Sequence, residues 1–106
     1  MVTRGDIWLA ALDPTVGGEI RKTRPCVVIS PPEMHDHLRT AIVAPMTSGS
    51  RLAPFRVPVS FQGTDGLILL DQIRSLDQQR LVKRLGVLRP GTLAQVLDVL
   101  REVFAP

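Results

Sequence analysis

Two short segments concentrate the side chains that can act on a charged substrate. Gly17-Gly18-Glu19-Ile20-Arg21-Lys22-Thr23-Arg24-Pro25 brings a glycine hinge, one carboxylate and three cations to the start of an apolar run. Pro45-Met46-Thr47-Ser48-Gly49-Ser50-Arg51 is a hydroxyl-rich turn at the end of another. Glycines let a backbone come close to a phosphate, hydroxyls and amides hydrogen-bond its oxygens, and an arginine fork neutralises it. The two segments therefore suit the binding and polarisation of a phosphodiester. Plainer readings stand beside that one. Arg24 suits an ion pair with Glu19 or Asp71, Thr47 and Ser48 suit ordinary turn hydroxyls, and Gln72 suits either a base edge or a backbone hydrogen bond.

Other chemistries find less support. No His, Cys, Asp and Glu cluster has metal-ligand spacing and no Walker-type glycine loop is present, so neither a metal nor another cofactor is expected. His35 and His37, in Pro31-Pro32-Glu33-Met34-His35-Asp36-His37, read as solvated loop residues in preference to metal ligands. Cys26 is the only cysteine, which excludes an intrachain disulfide. Its place in Pro25-Cys26-Val27-Val28-Ile29 predicts a buried thiol, not a nucleophile. Trp8 reads as a core residue more readily than as a base-stacking platform.

The 106 residues are read as one domain, 1–106, and their 44% of hydrophobic side chains is too high for a disordered chain. No apolar stretch is long enough to span a bilayer, and the start lacks a secretory apolar region, so a cytoplasmic protein is expected. Thirteen basic residues oppose ten acidic ones for a net charge of +3, and eleven of the thirteen are arginine. That excess is compatible with a polyanion partner without demanding one. Between Arg74 and Arg89 stand five basic residues (Arg74, Arg80, Lys83, Arg84, Arg89) and one acid, Asp77.

The elements that must hold these segments read mainly as strands. Short runs rich in valine and isoleucine, at Asp6 to Leu12, Arg24 to Ser30, Arg39 to Met46, Phe55 to Phe61, Leu67 to Leu70 and Arg80 to Leu88, alternate with turn signals. Pro58 demotes the fourth run to an edge strand or one with a bulge, and Asp65-Gly66 predicts a hairpin turn. Leu93, Val96, Leu97, Leu100, Val103 and Phe104 then fall on one face of a helix about 12 residues long. Thr92 and Gln95 predict its capping box, after Pro90-Gly91. Five or six strands and a terminal helix imply a bent antiparallel sheet, closed or nearly closed.

Taken together the motifs resemble the MazF/PemK family of toxin endoribonucleases. Arg4-Gly5-Asp6-Ile7-Trp8 is similar to the family's opening. Asp13-Pro14-Thr15-Val16-Gly17-Gly18-Glu19 with Lys22-Thr23-Arg24-Pro25 is similar to its first signature. Ile42-Val43-Ala44-Pro45-Met46-Thr47-Ser48 matches the second, and Leu70-Asp71-Gln72-Ile73-Arg74-Ser75-Leu76-Asp77 the third. The resemblance implies a mainly β fold: an SH3-like barrel of five to seven short antiparallel strands with a C-terminal helix. It also implies a homodimer that binds single-stranded RNA across its interface, a cognate antitoxin protein, and cleavage leaving a 2′,3′-cyclic phosphate and a 5′-hydroxyl.

In the matching branch the residues corresponding to Arg24 and Thr47 carry the chemistry. Glu19, the nearest carboxylate in sequence, and Ser48 are supporting candidates. Gly17, Arg21, Lys22, Ser48, Gln72 and Arg74 are the expected RNA contacts. Another branch uses a histidine in the first loop with an arginine and an aspartate near the third motif. Here those places hold Gly18, Leu69 and Asp71, so that acid–base set is incomplete and Asp71 is read as structural. An acidic, partly disordered antitoxin tail is expected over Arg21, Lys22, Arg24 and the Arg74 to Arg89 stripe. The alternatives are a non-catalytic toxin of the same fold, such as a CcdB-like gyrase poison, and a plain nucleic-acid-binding barrel.

Overall fold

The computed structural model describes every residue from Met1 to Pro106. Seven strands run antiparallel: β1 (Asp6–Ala11), β2 (Thr23–Val28), β3 (Thr40–Thr47), β4 (Arg56–Phe61), β5 (Thr64–Leu69), β6 (Arg74–Asp77) and β7 (Leu81–Val87). Single 3₁₀ turns at Leu70–Gln72 and Gln78–Arg80 flank β6, and helices α1 (Pro32–His35) and α2 (Pro90–Val103) complete the chain. The strand order is β4-β5-β3-β2-β1-β7, with β6 also against β3, and the sheet curls into a half-barrel that carries the terminal helix. The mainly β architecture expected from the sequence is the one observed.

The near-continuous apolar runs are explained by burial on both faces of the sheet. Ile7, Val27, Ile29, Ala44 and Met46 point into one core with Val57, Ile68, Leu70 and Leu88, and Val96 of α2 lies fully buried there. Their neighbours Ala10, Cys26, Val28, Ala41 and Val43 point the other way, with Leu12, Leu76 and Leu81. Alternation along β1, β2 and β3 thus feeds two cores at once. Each buried Leu, Ile or Val contributes about 1.5–3 kcal/mol relative to exposure. Trp8 is half-buried against the second core, and its indole N–H donates to Asp6.

Four expectations need correction. The hairpin turn is at Gln62-Gly63, not Asp65-Gly66: both turn residues have positive φ, +51° and +75°. That is what a two-residue turn matching the right-handed strand twist requires. Asp65 and Gly66 lie inside β5, opposite Ser60 and Val59. The capping box does not form, because α2 begins at Pro90 with Arg89 as an N-cap that makes no side-chain bond; Thr92 is already within the first turn. Strand β6 escaped the pattern because only Leu76 of its four residues is buried. Finally, His35 belongs to α1 and is only partly exposed: its Nε2 lies 2.6 Å from the Ser30 hydroxyl and its Nδ1 3.0 Å from the Val2 carbonyl oxygen. Pro58 does lie on an outermost strand, since β4 pairs with β5 alone.

Candidate active site

The two polar segments meet where β2 and β3 diverge. Cys26, Val27 and Val28 face Pro45, Ala44 and Val43 across the ladder. Continued by two residues, that register sets Arg24 opposite Thr47. By then β3 has turned to pair with β5, through Met46 and Thr47. The gap opens into two adjoining hollows. One, of about 370 Å³, is lined by Glu19, Ile20, Arg21, Lys22, Arg24 and Thr47; the other, of about 250 Å³, includes Arg24, Thr47, Ser48 and Gly66 in its wall. Arg24 and Thr47 are common to both.

Arg24 is a cation without an acid. Its Nε donates to the Arg21 carbonyl at 3.3 Å, and its guanidinium makes no other hydrogen bond. The ion pairs of the molecule are Arg56–Asp71, Arg84–Asp6 and Arg101–Asp98, so the alternative of an Arg24 pair with Glu19 or Asp71 is not realised. The Asp71 carboxylate takes Nε and Nη2 of Arg56 at 3.2 and 3.0 Å. That bidentate contact holds its pKa below the usual carboxylate range, leaving it no proton to donate near neutrality. Glu19 accepts the Val16 N–H at 2.6 Å and has its second oxygen uncommitted.

Backbone geometry aims these groups. Lys22 adopts a left-handed φ of +67°, which turns the chain into β2 so that the Arg21 carbonyl meets the Arg24 side chain. At Thr47 the hydroxyl oxygen accepts the Gly49 N–H at 3.3 Å, leaving its own proton to donate. Gly66 is required beneath it: a Cβ there would stand 2.9 Å from the Thr47 carbonyl oxygen. Sequence reading missed Gly66, because its turn-like pairing with Asp65 masked its role as a close-approach residue.

The remaining candidates divide. Arg21 and Lys22 are exposed at the first hollow and Ser48 at the second, whereas Gly17 is exposed but lines neither. Gln72 and Arg74 are held against main chain: Gln72 bonds the backbone of the β1–β2 loop at both ends of its amide, and Arg74 donates one N–H to the Leu12 carbonyl at 3.1 Å. Arg80 and Arg84, counted from the sequence as part of a basic stripe, are likewise engaged with Ala11 and Asp13 carbonyls and with Asp6. Cys26 is fully buried, and burial pushes its thiol up to about 12, which removes it as a nucleophile. No group of three or more His, Cys, Asp or Glu side chains converges to hold a metal ion. A guanidinium without a counter-ion and a hydroxyl donor lining one hollow are suited to gripping the non-bridging oxygens of a phosphodiester.

Comparison with known proteins agrees with that chemistry. Residues 3–104 match the family described as PemK-like, MazF-like toxin of type II toxin–antitoxin system. The chain is 37% identical to Endoribonuclease PemK of Escherichia coli over 95% of its own length and 80% of the relative's. It is 35% identical to Endoribonuclease MazF of Staphylococcus epidermidis, over 94% and 88%. The crystal structure of MazF from Deinococcus radiodurans superposes with a TM-score of 0.85 at 28% identity, covering 96% of this chain and 94% of that one.

Proposed function

The chain belongs to the PemK-like, MazF-like toxin family of type II toxin–antitoxin systems, and from that premise we propose that residues 1–106 act as one domain that cleaves single-stranded RNA with Arg24 and Thr47. It is a toxin endoribonuclease. The observation that carries the residue assignment is that an Arg24 guanidinium without a counter-ion and Thr47 line the same two hollows.

In the proposed reaction the 2′-hydroxyl oxygen of one nucleotide attacks its own 3′-phosphorus. The O2′–P bond forms and the P–O5′ bond breaks. The 2′ proton leaves to a base, and O5′ takes up a proton to depart as a hydroxyl, which accounts for a cyclic phosphate and a 5′-hydroxyl. Negative charge grows on the non-bridging oxygens as phosphorus becomes five-coordinate. Arg24 and the Thr47 O–H, already oriented, meet it there, and losing one such donor typically costs 10²–10³-fold in rate, roughly. Glu19, with one free oxygen at the rim, is the candidate base. Arg21 and Lys22 supply electrostatic attraction for the strand. The donor set calls for no metal. No observation favours the gyrase-poison or simple binding readings.

A cognate antitoxin is the partner that a toxin–antitoxin system supplies. A homodimer acting in the cytoplasm, where RNA is accessible, completes the proposal. The exposure of Val82, Val87, Val103 and Phe104 supports the dimer; no helix is long and apolar enough to cross a membrane. Labelled single-stranded RNA incubated with the protein and excess EDTA tests the whole reading. The expected products carry 2′,3′-cyclic phosphate and 5′-hydroxyl ends. Intact RNA, or activity that returns only with added magnesium or zinc, would overturn it.

A further inference from the structure

Between the end of β1 and the start of β2, the chain carries most of the charge of the site, and the loop's own bonds lie at its neck and its tip. The Leu12 N–H donates to the Lys22 carbonyl at 2.8 Å, the Asp13 carboxylate lies against the Lys22 main chain, and Val16 and Glu19 bond each other near the tip. The anchoring comes from a segment about sixty residues away in sequence. Gln72 accepts the Ile20 N–H at 2.8 Å through Oε1 and donates to the Gly18 carbonyl at 3.2 Å through Nε2. Arg74 donates to the Leu12 carbonyl at 3.1 Å, and Arg80 to those of Ala11 and Asp13. Both limbs of the loop are thus tied to the stretch from Gln72 to Arg80. That stretch is itself fixed, by β6 pairing with β3 and by the Arg56–Asp71 pair in front of Gln72.

We propose that Gln72, with Arg74 and Arg80, is a positioning clamp that holds the β1–β2 loop so that Arg24 faces the scissile phosphate, and that Gln72 does not itself read RNA; this rests on the catalytic assignment of Arg24 and Thr47. The chain of contacts is short. Gln72 fixes the Ile20 amide, Arg21 follows Ile20 directly, and the Arg21 carbonyl is the one acceptor that orients the Arg24 guanidinium. A residue that reads a base edge must leave donors and acceptors free. Gln72 commits an acceptor at one end of its amide and a donor at the other to main chain, which fixes the amide plane against the loop in the way half-buried amides do when they serve structure. Losing the clamp leaves the cations present and the strand attracted, but lets the guanidinium wander. Misplacement of a reacting group by an ångström can cost about 10²-fold in rate.

Gln72→Leu tests this in the full-length protein, with three readouts beside its melting temperature. They are amide hydrogen exchange at Ile20, single-turnover cleavage at saturating RNA, and affinity for an uncleavable RNA with 2′-deoxy at the cut site. The expected result is exchange at Ile20 faster by about tenfold and cleavage slower by about tenfold or more, with affinity changed by less than about threefold. In an Arg24→Lys background the same substitution should slow cleavage little further, since the group it positions is already impaired. Gln72→Glu keeps the acceptor for Ile20 and loses the donor to Gly18, and should fall between. It also serves if Gln72→Leu fails to fold. Affinity falling as far as rate would show Gln72 touching RNA and overturn the proposal, as would an unchanged rate once Ile20 protection is lost. If the wild type cleaves no RNA, the catalytic reading fails by itself. Ile20 exchange still judges the clamp in that case, and unaltered exchange in Gln72→Leu removes it.

Discussion

The catalytic role proposed for Arg24 rests on its neighbours. A guanidinium at the surface of a protein normally finds a carboxylate or points freely into water; this one is steered by a main-chain carbonyl and left without a counter-ion. Arg24→Ala should therefore abolish cleavage, a loss of about 10²-fold or more, while the melting temperature stays within a few degrees. Arg24→Lys should recover little, because a point charge cannot replace the fork. Full cleavage by Arg24→Ala would end the assignment. Thr47→Val, which keeps the shape and loses the hydroxyl, should slow single-turnover cleavage by about tenfold to a hundredfold. Cys26 supplies a contrasting residue, one whose titration bears on stability and not on chemistry. Its thiol ionises near 9.0 in the unfolded chain and near 12 when buried. Below about pH 9 it is protonated in both states and its contribution is intact. As pH rises from there towards 12 only the unfolded chain gains by ionising, so stability falls across that window. Urea midpoints of wild type and Cys26→Ala at about pH 8 and about pH 10.5 check this: the variant should lose less stability between the two.

At the scale of elements, β3 is the strand on which the site depends. It pairs with β2 and β6 along its first part and with β5 at its end, so β5 holds the Thr47 backbone beside the hollow that Thr47 shares with Arg24. Gly66 makes that contact possible. Gly66→Ala should push the β5 backbone off Thr47, lowering cleavage at least as strongly as Thr47→Val while the helix signal in circular dichroism persists. Undiminished activity would mean that β5 does not set the position of Thr47. Asp71, on the 3₁₀ turn that follows β5, anchors that turn to β4 through Arg56. Its pKa is lowered chiefly by the Arg56 hydrogen bonds. The pair therefore stabilises the fold above the ordinary carboxylate pKa and loses that contribution as pH falls through the lowered value. With both side chains partly exposed, Asp71→Asn should cost only about 1 kcal/mol near neutrality and correspondingly less in acid.

The whole molecule presents fewer free cations than its composition promises. Arg74, Arg80 and Arg84 brace main chain or Asp6, so a polyanion meets chiefly Arg21, Lys22, Arg24 and the exposed remainder. Reversing Arg21 and Lys22 to glutamate should weaken RNA binding and flatten its dependence on salt, and should weaken antitoxin binding if an acidic tail uses the same surface. Normal antitoxin affinity in that variant would separate the two surfaces. Arg84→Ala, by contrast, should lower stability through the buried Asp6 carboxylate, by roughly 1–3 kcal/mol, and leave RNA affinity nearly unchanged.

Local chemistry was enough to read six of the seven strands and the terminal helix in order, because valine-rich runs, proline and a 3.6-residue apolar stripe act over distances of a few residues. The ordered motifs likewise carried the family, the toxin endoribonuclease activity and the two loops worth examining. What remained out of reach shares one cause. Whether Arg24 has a counter-ion, where Gln72 spends its amide, why position 66 must be glycine, and whether His35 is solvated all depend on atoms far away in sequence. Gln72 and Ile20 are 52 residues apart, and Arg80 and Ala11 are 69 apart. Composition gives a side chain its capacity to donate, accept or carry charge. Only the curled sheet decides which partner takes up that capacity, and so which arginines are bound to acids and which keep none.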